Sequence, residues 1–171
     1  MGVICVLSDT HGTDGHRLDG HLLDAVREAN LVLHAGDFTT ERVLDAFETE
    51  VTALRAVHGN NATPAVRERL PGECVVDHED VTIALTHGDD RDETGLAMLG
   101  RQEGANLVIS GHSHRPGVTD TGDLTLLNPG SHADPRWYRP AYAELVIEDG
   151  RLEGRLREPT GETFEEFGVG L

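Results

Sequence analysis

Lysine is absent from this chain. All 14 basic residues are arginine, set against 31 aspartates and glutamates, for a formal charge of −17 over 171 residues. Such a surface repels nucleic acid and anionic membranes, so neither is expected as a partner. Aromatic residues make up only 4%, and no stripe of basic and aromatic residues suited to nucleic acid is present. No apolar run approaches the ~20 residues of a membrane span. The run from Val3 to Leu7 is too short for a signal segment and lacks its basic flank. Met1-Gly2 does not begin a lipidation motif, because Val6 stands where Ser or Thr is needed. A cytoplasmic setting is expected. Cysteine is scarce as well. Cys5 and Cys74 each neighbour valines and read as small core residues rather than a disulfide. They lack the clustering of a thiolate metal site. The acidic surplus itself reads as a halophile surface, since at ~1 M salt the Debye length is only about 3 Å and self-repulsion is screened.

What is present suits one domain with a substantial core. Short β-branched runs alternate with helical patterns through the first half. Strands are expected at 3–7, 31–33 and 51–57, with helices at 18–28, 40–47 and 63–69. This β-α repetition implies a mostly parallel sheet. In the second half, 73–77 and 81–85 form an expected hairpin, 94–104 a helix and 107–109 a strand. Further strands at 117–119, 124–127, 141–147 and 152–156 have no helix between them and are expected to form one antiparallel layer. The fold class is α/β, two packed sheets with helices outside. A single domain spans 1–158, and 159–171 is expected to be a loosely ordered tail.

Five clusters each follow an apolar run: Asp9-Thr10-His11-Gly12, Gly36-Asp37, Gly59-Asn60-Asn61, Thr86-His87-Gly88 and Gly111-His112-Ser113-His114. Asp9 and His11, like His112 and His114, are expected to share one side of an extended segment, because i and i+2 point the same way. In open α/β sheets, ligands gather beyond the carboxyl ends of the strands. All five clusters then point at one place. Two carboxylates, four imidazoles and one amide oxygen are too many donors for one ion and suit two if one carboxylate bridges. The mixed nitrogen and oxygen set, without thiolates, fits Mn, Fe, Co, Ni or Zn alike; manganese is the expected ion. The neutral Asn60 and histidines keep the pair of ions net positive, hence electrophilic toward phosphate. Two ions ~3.5–4 Å apart activate water and clamp an in-line displacement at phosphorus.

With Asn128-Pro129-Gly130-Ser131 added, these motifs resemble the calcineurin-like metallophosphoesterases, in particular their small prokaryotic phosphodiesterases. The resemblance runs from Val3 to about Ile147. It implies a four-layer α/β/β/α sandwich and a metal-dependent hydrolase of a small phosphoester, with a bridging hydroxide as nucleophile. It implies one metal held by Asp9, His11, Asp37 and His114. The other is held by Asp37, Asn60, His87 and His112, with Asp37 bridging. Larger relatives place a leaving-group histidine where Asn61 stands, and an aspartate where Ala62 stands. Activated esters are therefore the expected substrates. A catalytically weak scaffold for protein partners, known on the same fold, is the alternative. Association of like chains stays open.

Around these motifs, His34 and His58 read as supporting the site from behind. Substrate contacts are expected from Asn60, His132 and Arg136. Trp137-Tyr138 reads as pocket lining or edge packing, and His16 and His21 as surface residues.

Overall fold

The computed structural model describes residues 2–171. The strands are β1 (Val3–Leu7), β2 (Leu31–His34), β3 (Leu54–Ala56), β4 (Glu73–His78), β5 (Val81–Thr86), β6 (Leu107–Ile109), β7 (Gly117–Asp120), β8 (Thr125–Asn128), β9 (Tyr142–Glu148), β10 (Arg151–Arg157) and β11 (Thr163–Val169). The helices are α1 (Gly20–Glu28), α2 (Glu41–Glu50), α3 (Pro64–Arg69) and α4 (Glu93–Glu103). One sheet runs β11-β10-β9-β1-β2-β3 and the other β4-β5-β6-β8-β7. In the first, β1, β2 and β3 are parallel, and β9, β10 and β11 extend the β1 edge antiparallel. In the second, β5, β6 and β8 are parallel, with β4 and β7 antiparallel at the edges.

The period-2 alternation of β1 explains the layering. Ile4 and Val6 face a core between the two sheets, with Leu33, Ile83, Leu85, Leu107, Ile109 and Leu127. Cys5 and Leu7 face the other way, onto Leu22 and Val26 of α1 and Val43, Leu44 and Phe47 of α2. On the far side, Ala84, Val108 and Leu126 of the second sheet pack against Leu99 of α4. The central strands are buried on both faces, which is why they read as unbroken apolar runs.

Two expectations are corrected. The late strands do not form one layer: β7 and β8 complete the second sheet, while β9 and β10 join the first. The divide falls at residues 129–141, which carry the chain from one sheet to the other. The segment expected to be a loose tail contains β11, paired with β10 along its length. Val169 is buried in the inter-sheet core, and Phe167 lies over Gly154, where a methyl group would collide with its ring. Apolar residues at 164, 167 and 169, diluted by glutamate and glycine, hid this edge strand from the sequence pattern.

Candidate metal centre

Six strand ends build the site. β1 delivers Asp9 and His11, β2 Asp37, β3 Asn60, β5 His87, β6 His112 and His114, and β8 the Ser131-His132 turn. Both sheets contribute, so the site spans the open end of the sandwich.

The expected extended geometry of Asp9-x-His11 and His112-x-His114 is not how the side chains converge. Asp9, His11, Asp37, His112 and His114 all have positive φ, from 53° to 72°. Each such residue stores roughly 1–3 kcal/mol of strain unless its surroundings hold it. The surroundings here are cross-loop backbone bonds. Asp9 N–H donates to Gly36 O and His11 N–H to Asp37 O, both at 2.9 Å, and Gly111 N–H donates to His87 O at 3.0 Å. The loops lock one another in turned conformations. Glycines permit the close approach: a Cβ on Gly59 would overlap Asp37 Oδ1, and one on Gly36 would lie 2.7 Å from His87 Nδ1.

The side chains form two overlapping clusters, Asp9–His11–His114 and Asp9–Asp37–His87, with donor atoms within 4.8 Å of one another in each. Nε2 of His114, His87 and His11 lies 3.5, 3.9 and 4.0 Å from Asp9 Oδ1. Asp37 Oδ2 lies 3.3 Å from His87 Nε2 and 3.4 Å from His11 Nε2. Nε2 of His11 and His114 face each other at 3.2 Å. Asn60 Oδ1 meets His87 Nε2 at 2.9 Å. His112 joins differently. Its N–H donates to Asp9 Oδ2 at 3.0 Å, and its exposed ring sits edge-on to His87 with centroids 5.3 Å apart.

Two features test whether these residues suit a divalent cation. Asp9 Oδ1 is fully buried yet accepts no hydrogen bond, an arrangement that costs several kcal/mol for a charged oxygen left alone. His87 and His114 donate Nδ1–H to backbone carbonyls, of Ala35 at 2.7 Å and of Asp134. That is the usual orientation of metal-binding imidazoles, and it turns Nε2 inward. The residues fit the cation.

Charge is distributed unevenly. Burial pushes the Asp9 carboxyl above its ordinary value against the pull of His87 and His114. Burial acts the same way on Asp37, but the hydrogen bond and charge of His87, the Asn61 N–H and His11 outweigh it. The Asp37 carboxyl stays well below the usual carboxylate range. His87 is raised, because Asp37 overcomes the effect of burial. His11 is lowered by burial, despite Asp37 and Asp9.

Several residues hold the site in roles that the sequence did not specify. Ser8 Oγ donates to Asp9 Oδ2 at 2.9 Å, and Ser131 Oγ donates to Asp9 O at 2.7 Å. Asn61, standing where larger relatives have their proton donor, instead brackets Asp37. Its N–H reaches Oδ1 at 3.0 Å and its Nδ2 reaches Oδ2 at 3.4 Å. Arg67 holds the Asn60 and Ala62 carbonyls, both at 3.3 Å.

Thr10, between two candidate ligands, joins His34 Nε2 at 2.8 Å and His132 Nε2 at 3.0 Å. The direction of these bonds follows by elimination. Gly36 N–H donates to His34 Nδ1 at 3.1 Å, so neutral His34 carries its proton on Nε2 and donates to Thr10. The Thr10 hydroxyl has no other acceptor among the described residues, so it donates to His132 Nε2, which leaves the His132 proton on Nδ1. Burial drives both rings neutral, His132 down to about 3 with help from Arg17 and His16, and His34 well below its ordinary value. His132 is 8% exposed and, through Thr10, braces the Asp9–His11 loop from behind. Arg136 is exposed with φ 54°.

This fold and centre define a metal-dependent enzyme architecture, and residues 3–150 match the calcineurin-like phosphoesterase superfamily domain. The chain belongs to that superfamily, as its motifs implied, and the two-sheet architecture is borne out. It is 34% identical over 159 residues to the probable metallophosphoesterase MJ0623 of Methanocaldococcus jannaschii, covering 90% of this chain and 80% of that one. The phosphodiesterase MJ0936 of the same organism is 26% identical over 140 residues, covering 74% and 82%. Wild-type Vps29 of Entamoeba histolytica, solved with Zn2+, shares the fold at a TM-score of 0.79. It is 22% identical, over 97% of this chain and 98% of that one.

Proposed function

We propose that this chain is a metal-dependent phosphodiesterase acting on a small phosphate ester. The observation that carries the reading is the orphaned Asp9 Oδ1 amid inward-turned imidazoles. Asp9, His11, Asp37 and His114 would hold one divalent ion, and Asp37, Asn60, His87 and His112 the second. Asp37, whose Oδ2 lies 3.3 Å from His87 Nε2 and 3.4 Å from His11 Nε2, would be shared between the two ions, and Asp9, common to both donor clusters, would stand beside it. A pair of divalent ions supplies positive charge that acidifies water and neutralises phosphate oxygens. The chain's own part is to hold geometry. Asn61 fixes both Asp37 oxygens, and Ser8 and Ser131 fix Asp9. Exposed Arg136 stands free to meet a phosphate oxygen. With Asn61 committed to Asp37, no proton donor stands there, and esters with good leaving groups react best. Preference for diesters draws support from the relative named a phosphodiesterase.

Manganese is the proposed metal, with Ni, Fe, Co and Zn able to substitute. The proposed setting is a salt-rich cytoplasm, consistent with the charge of −17. The decisive assay is hydrolysis of bis-p-nitrophenyl phosphate with added manganese, wild type against Asp37→Asn. Wild type turns over and the variant does not. Two bound ions without turnover, under any divalent metal, overturn the reading. The scaffold reading is favoured by Ala62 and by the likeness to Vps29. It predicts a protein partner retained by Asp37→Asn.

A further inference from the structure

Arg17 is exposed and lies between the Asp9–His11 loop and α1. In a chain with 31 acidic residues it makes no ion pair among the described residues. Its guanidinium fork goes to two backbone carbonyls instead. Nη1 donates to Thr10 O at 3.0 Å and Nη2 to Ala133 O at 3.1 Å. Thr10 lies between Asp9 and His11. Ala133 precedes Asp134, whose carbonyl accepts Nδ1–H of His114. The two carbonyls thus belong to the two segments that aim His11 and His114, and Nε2 of those rings face each other at 3.2 Å.

The local backbone is shaped for this reach. Arg17 has φ 58°, a left-handed conformation that a non-glycine residue keeps only when its surroundings hold it. Leu18 is buried in the core beneath α1 and α2, and its N–H donates to His16 Nδ1 at 2.9 Å. His16 Nε2 in turn lies 3.3 Å from Glu50 Oε1. Gly12 leaves room for the arginine stem: a Cβ there would lie 3.1 Å from Arg17 Cδ.

These ties serve one donor cluster and not the other. Within Asp9–His11–His114, the two segments are joined from outside by Arg17. From inside they are joined by Ser131, whose Oγ donates to Asp9 O at 2.7 Å and accepts from Asp134 N–H at 2.9 Å. Around Asp37 and His87 the holding bonds are different. His87 Nδ1–H goes to Ala35 O, Asn61 holds Asp37, and Arg67 holds the Asn60 carbonyl. None of those passes through Arg17. A planar fork fixes the separation of its two acceptors, which an ammonium on a flexible stem does not.

We propose that Arg17 is a positioning residue for one ion of the pair: its fork sets the gap between His11 and His114, and with it the affinity of the ion those rings hold, while the ion at His87 is untouched. The proposal rests on the two-ion reading and names the side chain that tunes one ion alone. Ser131 keeps the segments joined when the fork is lost. The effect is therefore a weakened site, at the lower end of the ~10–100-fold losses that follow removal of a ligand's supporting partner.

Zinc titration followed by nitrogen-15 imidazole shifts reads the ions separately, His11 and His114 reporting one and His87 the other. Arg17→Gln should raise the zinc Kd at His11 and His114 about tenfold and leave that at His87 within about twofold. Arg17→Lys keeps the charge without the fork and should also bind more weakly there. Wild-type affinity in the lysine variant overturns the proposal, because charge alone then suffices. An equal loss at both ions, or none at either, overturns it as well. In chelator, solvent exchange of the His114 Nδ1–H should quicken in Arg17→Gln while that of His87 does not; unchanged exchange of both counts against the fork. Both variants alter an exposed side chain, and thermal melts verify that they fold. Wild type that binds no zinc overturns the two-ion reading and this proposal together. Two bound ions without turnover of bis-p-nitrophenyl phosphate overturn the phosphodiesterase reading alone.

Discussion

Replacing Thr10 by valine removes one hydroxyl and keeps the shape of the side chain. Thr10 is fully buried, and its oxygen serves two imidazoles, at 2.8 and 3.0 Å. Thr10→Val leaves two buried ring nitrogens unpartnered, each costing ~1–3 kcal/mol. The expected destabilisation is therefore ~2–6 kcal/mol. In a chain of this length each kcal/mol moves Tm by roughly 2–4 °C, so a fall of about 5–20 °C is expected. Thr10→Ser keeps the hydroxyl and loses one methyl, worth about 1 kcal/mol. The loop itself should stay docked, because Arg17 Nη1 still donates to Thr10 O at 3.0 Å and Ser131 to Asp9 O. Its side chains should be less well aimed, and losses of this kind weaken metal binding by ~10–100-fold. Thermal melts in chelator read the first effect, and calorimetric titration with manganese reads the second. Nitrogen chemical shifts from NMR read the proton pattern directly: His34 protonated on Nε2, His132 on Nδ1. A valine variant melting within ~2 °C of wild type, or a His34 proton found on Nδ1, would refute the reasoning.

Gly59→Ala should abolish tight metal binding while the chain still folds. A methyl there overlaps Asp37 Oδ1 and comes within 2.5 Å of Asp37 N, a clash of the kind that costs ~1–3 kcal/mol; unchanged manganese affinity by calorimetry would count against it. Acid should destabilise the chelated protein through His132 and His34. Their folded pKa values lie below the unfolded ~6.5, so the unfolded state binds more protons as pH falls. Stability is full above about 6.5 and declines by roughly 1.4 kcal/mol per pH unit for each histidine, continuing toward about 3 for His132. Urea unfolding from pH 7 to 4 checks this, and a slope unaffected by His132→Gln would contradict it. Truncation after Pro159 removes β11 and exposes the core that Val169 covers, a loss of ~1.5–3 kcal/mol for that side chain alone. A truncated chain as stable as the whole, by thermal melt, would show that β11 contributes nothing.

The sequence by itself determined the candidate donors and the ends of the strands that carry them. It could do so because a strand buried on both faces writes an unbroken apolar run, and a polar residue ending such a run must leave the core. The first-half elements and the β4–β5 hairpin were legible for the same reason. Strand partnership after residue 117 was not. Short strands carry no mark of which sheet they join, and only the packing of the inter-sheet core sends β8 beside β6 and β9 beside β1. β11 was hidden because an edge strand half open to water needs few apolar residues. The mode of convergence was also beyond the sequence. Asp9, His11, Asp37, His112 and His114 meet through left-handed backbone held by bonds between loops far apart in the chain, and spacing encodes none of those bonds. The supporting roles of Thr10, Asn61 and Ser131 belong to the tertiary structure for the same physical reason. A hydrogen bond is set by where two groups lie in space, and these partners lie as many as 122 residues apart.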